Sequence, residues 1–247
     1  MPDRRRVGCL LFVALLALAA WLGWREYQRL VRDRPELFPW TALSLADPVG
    51  RFTAAKLIAL GDRPGQCEAL LAEAGLRHRL VPAIRPSDEA CGFDRAVELR
   101  PDGAGNALYS PRGLVTSCPV AAALFLWERD VVQPAAQREL GERVVRIDHF
   151  GSYSCRRLNG RPDSAYSEHA TANAVDIAGF RTTSGRRIAV QGGWPGSGRD
   201  AAFLRQVRSG ACDLFATTLS PDYNAAHADH LHLDMAQRGM RGWALCR

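Results

Sequence analysis

An uncharged apolar run near the start of the chain divides it into two parts that face different solvents. The run covers residues 7–24 and follows three consecutive arginines at residues 4–6. Eighteen helical residues extend about 27 Å, close to the thickness of the hydrocarbon core of a bilayer. Trp21, Trp24 and Tyr27 are the residue types that favour the membrane interface. The run therefore predicts a transmembrane helix, and the rest of the chain must form its core without it.

A removable signal peptide is the alternative interpretation of this run. Ala17-Leu18-Ala19 has the small residues of a cleavage site, and cleavage there would release a secreted protein. We expect residues 1–30 to be a membrane anchor or signal segment, residues 31–55 a linker, and residues 56–247 one folded domain. That length is typical of a single domain.

The net charge of +6 does not indicate a nucleic-acid partner. Residues 1–34 hold seven arginines against three acidic residues and so carry +4 of the excess. The remainder is nearly neutral and has no basic run interleaved with aromatic residues, which a nucleic-acid surface would need. We expect no nucleic-acid binding.

Cysteine usage indicates an oxidising compartment for the domain. Six cysteines lie outside the apolar run, and none forms a C-x-x-C pair: Cys67, Cys91, Cys118, Cys155, Cys212 and Cys246. An even, scattered set fits three disulfides better than a thiolate metal site, whose ligands are closely spaced. We predict an inner-membrane-anchored protein with a periplasmic domain, or a secreted one if the signal is cleaved. The sequence leaves the pairing open.

The periodicity of the domain predicts helices and strands without regular β-α-β units, which favours an α+β fold over a parallel sheet. We expect a small antiparallel sheet that carries the functional site and is flanked by helices. The predicted helices are 56–75 with a break at 61–65, 118–140 and 200–215. The predicted extended segments are 81–97, 143–149, 174–177, 187–190 and 230–235.

Histidines and acidic residues concentrate in the last third of the chain. His169 precedes Asp176 by seven residues, and a His-x-His follows at His230 and His232. On a strand, residues two apart point to one face, so the last two imidazoles can converge on one ion. His169 and Asp176 lie either on one helix face or on a loop and the strand after it. Two imidazoles and a carboxylate with one open position form a typical catalytic zinc site.

The segment Ser-Glu-His-Ala-Thr-Ala-Asn-Ala-Val-Asp, residues 167–176, resembles the Ser-x-His-x-x-Gly-x-Ala-x-Asp motif of zinc D-Ala-D-Ala peptidases. The wider group includes lysostaphin-type and murein endopeptidases and the hedgehog signalling domain. The resemblance implies Zn²⁺ bound by His169, Asp176 and His232. Ala172 stands where the motif usually has glycine.

Residues 60–247 more closely resemble the extensin-like C-terminal domain of bacterial proteins. This resemblance rests on Gly-Ser-Tyr-Ser-Cys-Arg at 151–156, Pro-Asp-Tyr-Asn-Ala-Ala-His at 221–227 and Asp-His-Leu-His-Leu-Asp at 229–234, together with the motif at 167–176. It leaves the activity and the substrate open.

Two residues compete for the role of general base. The His-x-His branch of the group implies His230, and the Glu-x-x-His branch implies Asp229. We favour His230, which shares the predicted strand face with His232. His227 is a weaker helper, Asp234 is expected to orient an imidazole through its outer nitrogen, and Arg156 resembles the arginine that holds the substrate in these peptidases.

These features predict a zinc-dependent peptidase or amidase that acts on peptidoglycan stem peptides. The alternative is a non-catalytic, zinc-stabilised module that binds the cell wall or a protein, since structural zinc contributes folding energy without catalysis. A wall-tethering protein without metal is a third and weaker interpretation.

Overall fold

An exposed N-terminal helix, α1 (Arg4–Asp33), begins the computed structural model, which describes residues 4–100, 107–237 and 244–247. Its segment Val7–Asp33 is long and apolar enough to cross a membrane, with a mean hydropathy of 2.3 in the most apolar window and none of that window buried. A membrane anchor and a signal sequence both have this character. The predicted apolar helix is therefore confirmed.

The rest of the described chain mixes helices and strands, which confirms the α+β class. The helices are α2 (Thr53–Ile58), α3 (Pro64–Glu73), α4 (Cys118–Trp127), α5 (Gln133–Leu140), a short irregular α6 (Val190–Gly193) and α7 (Arg199–Ala211). The strands are β1 (His78–Val81), β2 (Ala96–Leu99), β3 (Leu108–Ser110), β4 (Val115–Thr116), β5 (Val144–Gly151), β6 (Ala174–Thr182), β7 (Arg187–Ala189), β8 (Thr217–Leu219), β9 (Leu231–Asp234) and β10 (Leu245–Cys246).

The strands form two sheets. A three-stranded antiparallel sheet has the order β1-β2-β4, and a seven-stranded sheet has the order β10-β8-β9-β6-β5-β3 with β7 paired to β6. The large sheet is antiparallel except at its two edges, where β3 pairs parallel with β5 and β10 pairs parallel with β8. The predicted antiparallel sheet is therefore present, but it has seven strands and parallel pairing at its two edges. The edge strands are only two or three residues long and carry little periodic signal of their own.

One face of the large sheet carries the hydrophobic core. Along β6 and β9 the side chains alternate, so Val175, Ile177, Leu231 and Leu233 are fully buried among core residues. Trp127 of α4 contacts Phe180, and Phe180 contacts Phe203 of α7 with ring centroids 5.9 and 5.0 Å apart. The intervening residues of β6 and β9 point to the opposite face, where the polar site lies.

The helix predicted over 118–140 is present but contains a wider turn. Ser117 caps it through a hydrogen bond from Val120 N, and Pro119 occupies the first turn, as proline prefers. Residues Glu128–Val132 form a π-helical turn just before Pro134. Proline has no amide hydrogen for the preceding turn, and a local widening accommodates that loss.

Other element boundaries differ from the predictions by a few residues. α7 ends at Ala211 rather than near residue 215, because the chain turns there to bury Leu214 and Phe215. The segment predicted to be extended over 81–97 forms strands only at its two ends, as β1 and β2. In the loop between them, Ile84 and Phe93 form an isolated antiparallel β-bridge. The strands predicted at 143–149 and 174–177 are longer, as β5 and β6.

All six cysteines of the domain are paired, which confirms the prediction of three disulfides. Cys67 bonds to Cys118, Cys91 to Cys155 and Cys212 to Cys246, across sequence separations of 51, 64 and 34 residues. Such bonds indicate an extracytoplasmic domain. The first pair joins α3 to the start of α4, the second fixes the loop after β5, and the third ties β10 to the end of α7.

Candidate metal centre

Three side chains that the sequence predicts as metal ligands meet on the polar face of the large sheet. Asp176 lies on β6 directly opposite His232 on β9, because the two strands are antiparallel neighbours in that register. His169 lies in a short 3-10 turn, Glu168–Thr171, that precedes β6. Of the two arrangements left open for His169 and Asp176, the structure has the turn followed by a strand.

The candidate ligand atoms of this trio face a common point. Asp176 Oδ1 is 3.0 Å from both His169 Nε2 and His232 Nδ1, and these two nitrogens are 3.1 Å apart. The three ligand atoms lie within 4.8 Å of one another, and all three residues are buried. Two imidazoles and one carboxylate in this arrangement could hold a metal ion.

The outer ring nitrogens have partners that fix which way each imidazole presents its lone pair. His169 Nδ1 donates to the carbonyl of Ser152 at 2.5 Å, and His232 Nε2 donates to Asp234 Oδ2 at 3.2 Å. A carbonyl and a carboxylate only accept hydrogen bonds, so each outer nitrogen carries a hydrogen. The inner nitrogens therefore face Asp176 and, in the neutral rings, would offer their lone pairs to a metal ion, as do metal-binding histidines held by outer partners. Asp234 occupies the orienting position that the sequence predicts for it.

The electrostatics of the trio are strongly coupled. Burial would raise the pKa of Asp176, but hydrogen bonds from His169 and His232 hold that pKa well below its usual range. Burial likewise lowers the pKa of His232, but its hydrogen bonds to Asp176 and Asp234 raise the pKa to about 9. Asp176 is therefore ionised and offers a carboxylate to a cation, which would take the place of the proton on His232.

Ala172 shapes the turn that delivers His169. It is the one non-glycine residue in the described chain with a positive φ, at 55°, a left-handed conformation that strains any residue with a Cβ. Its carbonyl accepts hydrogen bonds from Ser117 N, Thr116 Oγ1 and Ser152 Oγ at 2.7, 3.1 and 3.2 Å. These three hydrogen bonds depend on the direction of the Ala172 carbonyl, and that direction requires the positive φ. Glycine adopts a positive φ without strain, so it suits this position.

A second loop supports the same turn from outside. Gly92 N donates to Ala170 O at 2.8 Å, and Gly92 has a φ of 95°. A Cβ at Gly92 would lie 2.1 Å from the carbonyl oxygen of Ile84, so no larger residue fits. The adjoining Cys91 is bonded to Cys155, which attaches this loop to the segment after β5.

His230 and Asp229, the two candidate bases, form a pair beside the trio. His230 Nδ1 lies 2.8 Å from Asp229 Oδ1, and His230 Nε2 lies 3.5 Å from Asp176 Oδ1. Because the carboxylate accepts from Nδ1, the lone pair on Nε2 faces the trio. Asp229 therefore reaches the site through His230 and has its carboxylate on the outer side of that ring.

Arg156 joins the site through the other oxygen of Asp176. Its Nη2 donates to Asp176 Oδ2 at 3.1 Å, while about half of the arginine side chain stays exposed. Arg156 follows Cys155 in the loop after β5, so the disulfide limits the movement of its backbone. It also lines a cleft of about 340 Å³ together with His169, Asp176, Asp229 and His230.

Two aromatic rings contact His230, and one of them, Phe150, was not among the predicted site residues. Phe150, at the end of β5, is 62% exposed and packs edge-on against His230 with centroids 5.8 Å apart. His227 lies 5.1 Å from His230, and Tyr223 lies 5.5 Å from His227. Burial and the neighbouring imidazoles of His230 and His232 lower the pKa of His227 to about 4. An exposed phenylalanine inside a strand pattern was the available signal for Phe150.

A second cluster of metal-ligand residue types, Asp88 with Cys91 and Cys155, differs from the trio in its chemistry. Its two sulfur atoms are bonded to each other at 2.03 Å. A disulfide sulfur is not a thiolate and does not serve as a zinc ligand. The trio is therefore the better candidate metal centre among the described residues.

A family model described as extensin-like protein C-terminus matches residues 65–247. The match covers about three quarters of the chain and includes every residue of the candidate metal centre. No curated protein and no solved structure matches the chain.

Proposed function

The chain belongs to the extensin-like protein C-terminus family, and on that premise we propose that it is a zinc-dependent peptidase or amidase acting on peptidoglycan stem peptides. His169, Asp176 and His232 are the zinc ligands in this proposal. The observation that carries it is the approach of their three ligand atoms to within 4.8 Å beside a fourth group, His230 Nε2.

The donor chemistry of the trio fits a zinc ion. With the outer nitrogens committed as hydrogen-bond donors, His169 Nε2 and His232 Nδ1 are the nitrogens that face each other and Asp176 Oδ1. Three electron donors that face one point are compatible only if a proton or a cation lies among them. Mixed imidazole and carboxylate ligands are those that catalytic zinc sites use.

Zinc held by this trio would supply a Lewis acid that polarises a carbonyl and acidifies a bound water. The cleft of about 340 Å³ leaves one side of the trio open, lined by Phe150, Ser152 and Arg156. An open side distinguishes a catalytic zinc site from a closed structural one. This opening favours the enzyme over the non-catalytic module.

His230 is the general base in this mechanism. Its Nε2 takes a proton from the attacking water and returns it to the amine that leaves. Asp229 accepts the hydrogen bond from His230 Nδ1, which keeps the lone pair on Nε2 and stabilises the imidazolium after proton transfer. This geometry supports His230 as the base and Asp229 as a positioning residue.

Arg156 orients the substrate. One of its donors is bonded to Asp176, and the rest of the half-exposed guanidinium lies at the cleft. A guanidinium offers up to five donors in a planar fork that suits a carbonyl or a carboxylate. Stem peptides of peptidoglycan offer both groups, and Phe150 offers an apolar contact beside them.

The substrate class rests on location and resemblance. The disulfides indicate an extracytoplasmic domain, and the motif at 167–176 resembles that of zinc D-Ala-D-Ala peptidases. Peptidoglycan is the peptide-bearing polymer of the periplasm in which we place the domain.

Muropeptide digestion tests the proposal. The zinc-loaded full chain is incubated with monomeric and cross-linked muropeptides, and the products are identified by mass spectrometry. We expect hydrolysis of an amide bond by the wild type and hydrolysis slower by about 10²–10⁴-fold by His230→Ala, which should still hold zinc. If the protein binds intact muropeptides and cleaves none of them, the result would favour the binding module instead.

A further inference from the structure

Helix α1 is longer than a bilayer core requires. Its 30 residues extend about 45 Å, against about 30 Å of hydrocarbon. Every residue from Val7 to Leu30 is exposed, and the uncharged run ends at Trp24. If the run fills the hydrocarbon, Trp24 and Tyr27 lie at its edge, and the last turns of α1 emerge from the membrane.

Immediately after α1 ends, the chain returns to the membrane edge at which Trp24 and Tyr27 lie. A 3-10 turn, Pro35–Leu37, reverses its direction. Phe38 then packs edge-on against Tyr27 with centroids 5.9 Å apart. Trp40 contacts Phe38 at 5.2 Å, and Trp24 contacts Tyr27 at 5.6 Å. Four rings from two parts of the chain thus form one continuous row, which we call the ring row.

The outer members of the ring row are exposed. Trp40 is 65% and Trp24 is 61% exposed, and the neighbouring Leu37 is 40% exposed. Tryptophan and tyrosine combine an apolar body with a polar N–H or O–H, which suits the headgroup region of a bilayer. Arg25 lies over the ring of Trp21, and Arg29 and Arg32 follow on α1, where phosphate groups would meet them.

The turn that carries the ring row is fixed to the folded domain. The Thr41 hydroxyl shares its one hydrogen between the carbonyl oxygens of Pro35 and Phe38, which lie 2.5 and 2.9 Å from Oγ1. Lys56 Nζ, from α2, donates to Pro35 O and Thr41 Oγ1 at 3.1 and 2.8 Å. Glu36 is buried and paired with Arg34. These bonds make the turn a part of the domain rather than a free tether.

The segment that follows is also packed on the domain. Leu45 is 2% exposed and belongs to the core. Arg129, in the π-helical turn after α4, donates to the carbonyls of Leu45 and Asp47, the latter at 2.8 Å. Residues 35–47 therefore connect the ring row to the helices that support the large sheet.

We propose that the ring row and Leu37 form a second, interfacial membrane contact that seats the folded domain on the phospholipid surface in a fixed orientation. The partner is the headgroup region of a glycerophospholipid bilayer. The contact follows from continuity: Trp24 and Tyr27 continue the apolar surface of α1, and Phe38 and Trp40 extend that surface onto the domain. It is independent of any catalytic role of the metal centre.

Photo-crosslinking of the full chain in phosphatidylglycerol and phosphatidylethanolamine vesicles tests the contact. Benzoylphenylalanine replaces Trp40, and adducts are identified by mass spectrometry. The matched control replaces Leu158, an apolar residue of the domain that is 47% exposed. A third version replaces Leu15, in the middle of α1 and 64% exposed, and reports whether α1 is in the bilayer.

We expect lipid adducts at positions 15 and 40 and at least tenfold fewer at position 158. Adducts at position 15 with none above control at position 40 would overturn the interfacial contact while leaving the anchor in place. Adducts from position 40 to a second copy of the chain would assign the ring row to self-association instead. Loss of α1 from the mature chain would also overturn the proposal.

Discussion

Asp229 Oδ1 lies 2.8 Å from His230 Nδ1, on the side of the imidazole that faces away from His169, Asp176 and His232. The relationship separates two roles that the sequence left in competition. A carboxylate in this position controls the tautomer of the ring, and the ring nitrogen that faces the site, Nε2, would transfer the proton in the proposed mechanism. In the proposed mechanism the two residues act in series rather than as alternatives.

The first prediction follows from this pair. His230→Ala should lower kcat by about 10²–10⁴-fold, the usual contribution of general acid–base catalysis, while zinc content stays unchanged. Added imidazole should restore part of the rate, because the base is lost but the space remains. The measurement is amide hydrolysis of a muropeptide with and without imidazole.

Asp229→Asn provides the comparison within the same pair. An amide can donate to Nδ1 and so stabilise the wrong tautomer, which should lower kcat with little change in KM. Imidazole should not rescue this variant, because its base is still present. Rescue of Asp229→Asn, or full activity of His230→Ala, would contradict the assignment.

A second prediction concerns protons at the trio. The pKa of His232 is raised to about 9 in the metal-free protein, so zinc must displace a proton below that pH. Apparent zinc affinity should rise by up to about tenfold per pH unit between pH 6.5 and 8.5, since one pKa unit corresponds to a tenfold change. Chelator competition measures it, and an affinity that is flat over this interval would contradict the prediction.

The same proton affects the stability of the metal-free fold. The folded pKa of His232 lies above the value of about 6.5 expected in the unfolded chain. Its contribution to the free energy of unfolding is therefore complete below about pH 6.5 and is lost as the pH rises through 9. Urea unfolding of the metal-free full chain in detergent should show stability falling over that window, and His232→Gln should flatten the fall.

A third prediction tests the strained turn at Ala172. Ala172→Gly removes the left-handed strain but also a buried methyl group, so the free energy of unfolding should change by less than about 1 kcal/mol. Ala172→Val places a β-branched residue at φ 55° in a fully buried site and should destabilise by more than about 2 kcal/mol.

Ala170→Gly is the matched control for Ala172→Gly. Ala170 is equally buried but lies in the 3-10 turn with a negative φ. A glycine at residue 170 relieves no strain, so Ala170→Gly should lower the free energy of unfolding by about 1 kcal/mol. Equal destabilisation by the two glycine variants in urea unfolding would show that residue 172 carries no strain.

Thiol counting gives a fourth prediction. Cys9 is the free cysteine of the chain, and the other six are paired. Maleimide under denaturing, non-reducing conditions should label one thiol per chain, and seven after reduction. Three or more labelled thiols before reduction would contradict the disulfide framework and the extracytoplasmic location inferred from it.

Local patterns predicted the elements that carry the site, but not the contacts between them. The alternation around His230 and His232 was sufficient to predict β9, and the parity of the cysteines was sufficient to predict three disulfides. The partner of each cysteine depends on how distant elements pack, as in Cys67 of α3 with Cys118 of α4. Sequence spacing holds no such information.

The same limit applies inside the site. The contact of Arg156 with Asp176 joins residues 20 apart through a loop, and Phe150 meets His230 across 80 positions of the chain. The parallel edge strands β3 and β10 have too few residues to show a period. Each of these features is determined by tertiary packing, which overrides local propensity.

Metal analysis of the purified full chain tests the central claim most directly. We predict one zinc per chain for the wild type and for His78→Ala, whose imidazole lies outside the trio, and less than about a tenth of that for His232→Ala and Asp176→Ala. Folding of each variant is checked by its near-UV circular dichroism. A folded His232→Ala variant with undiminished zinc, or a wild type that binds none, would contradict the account.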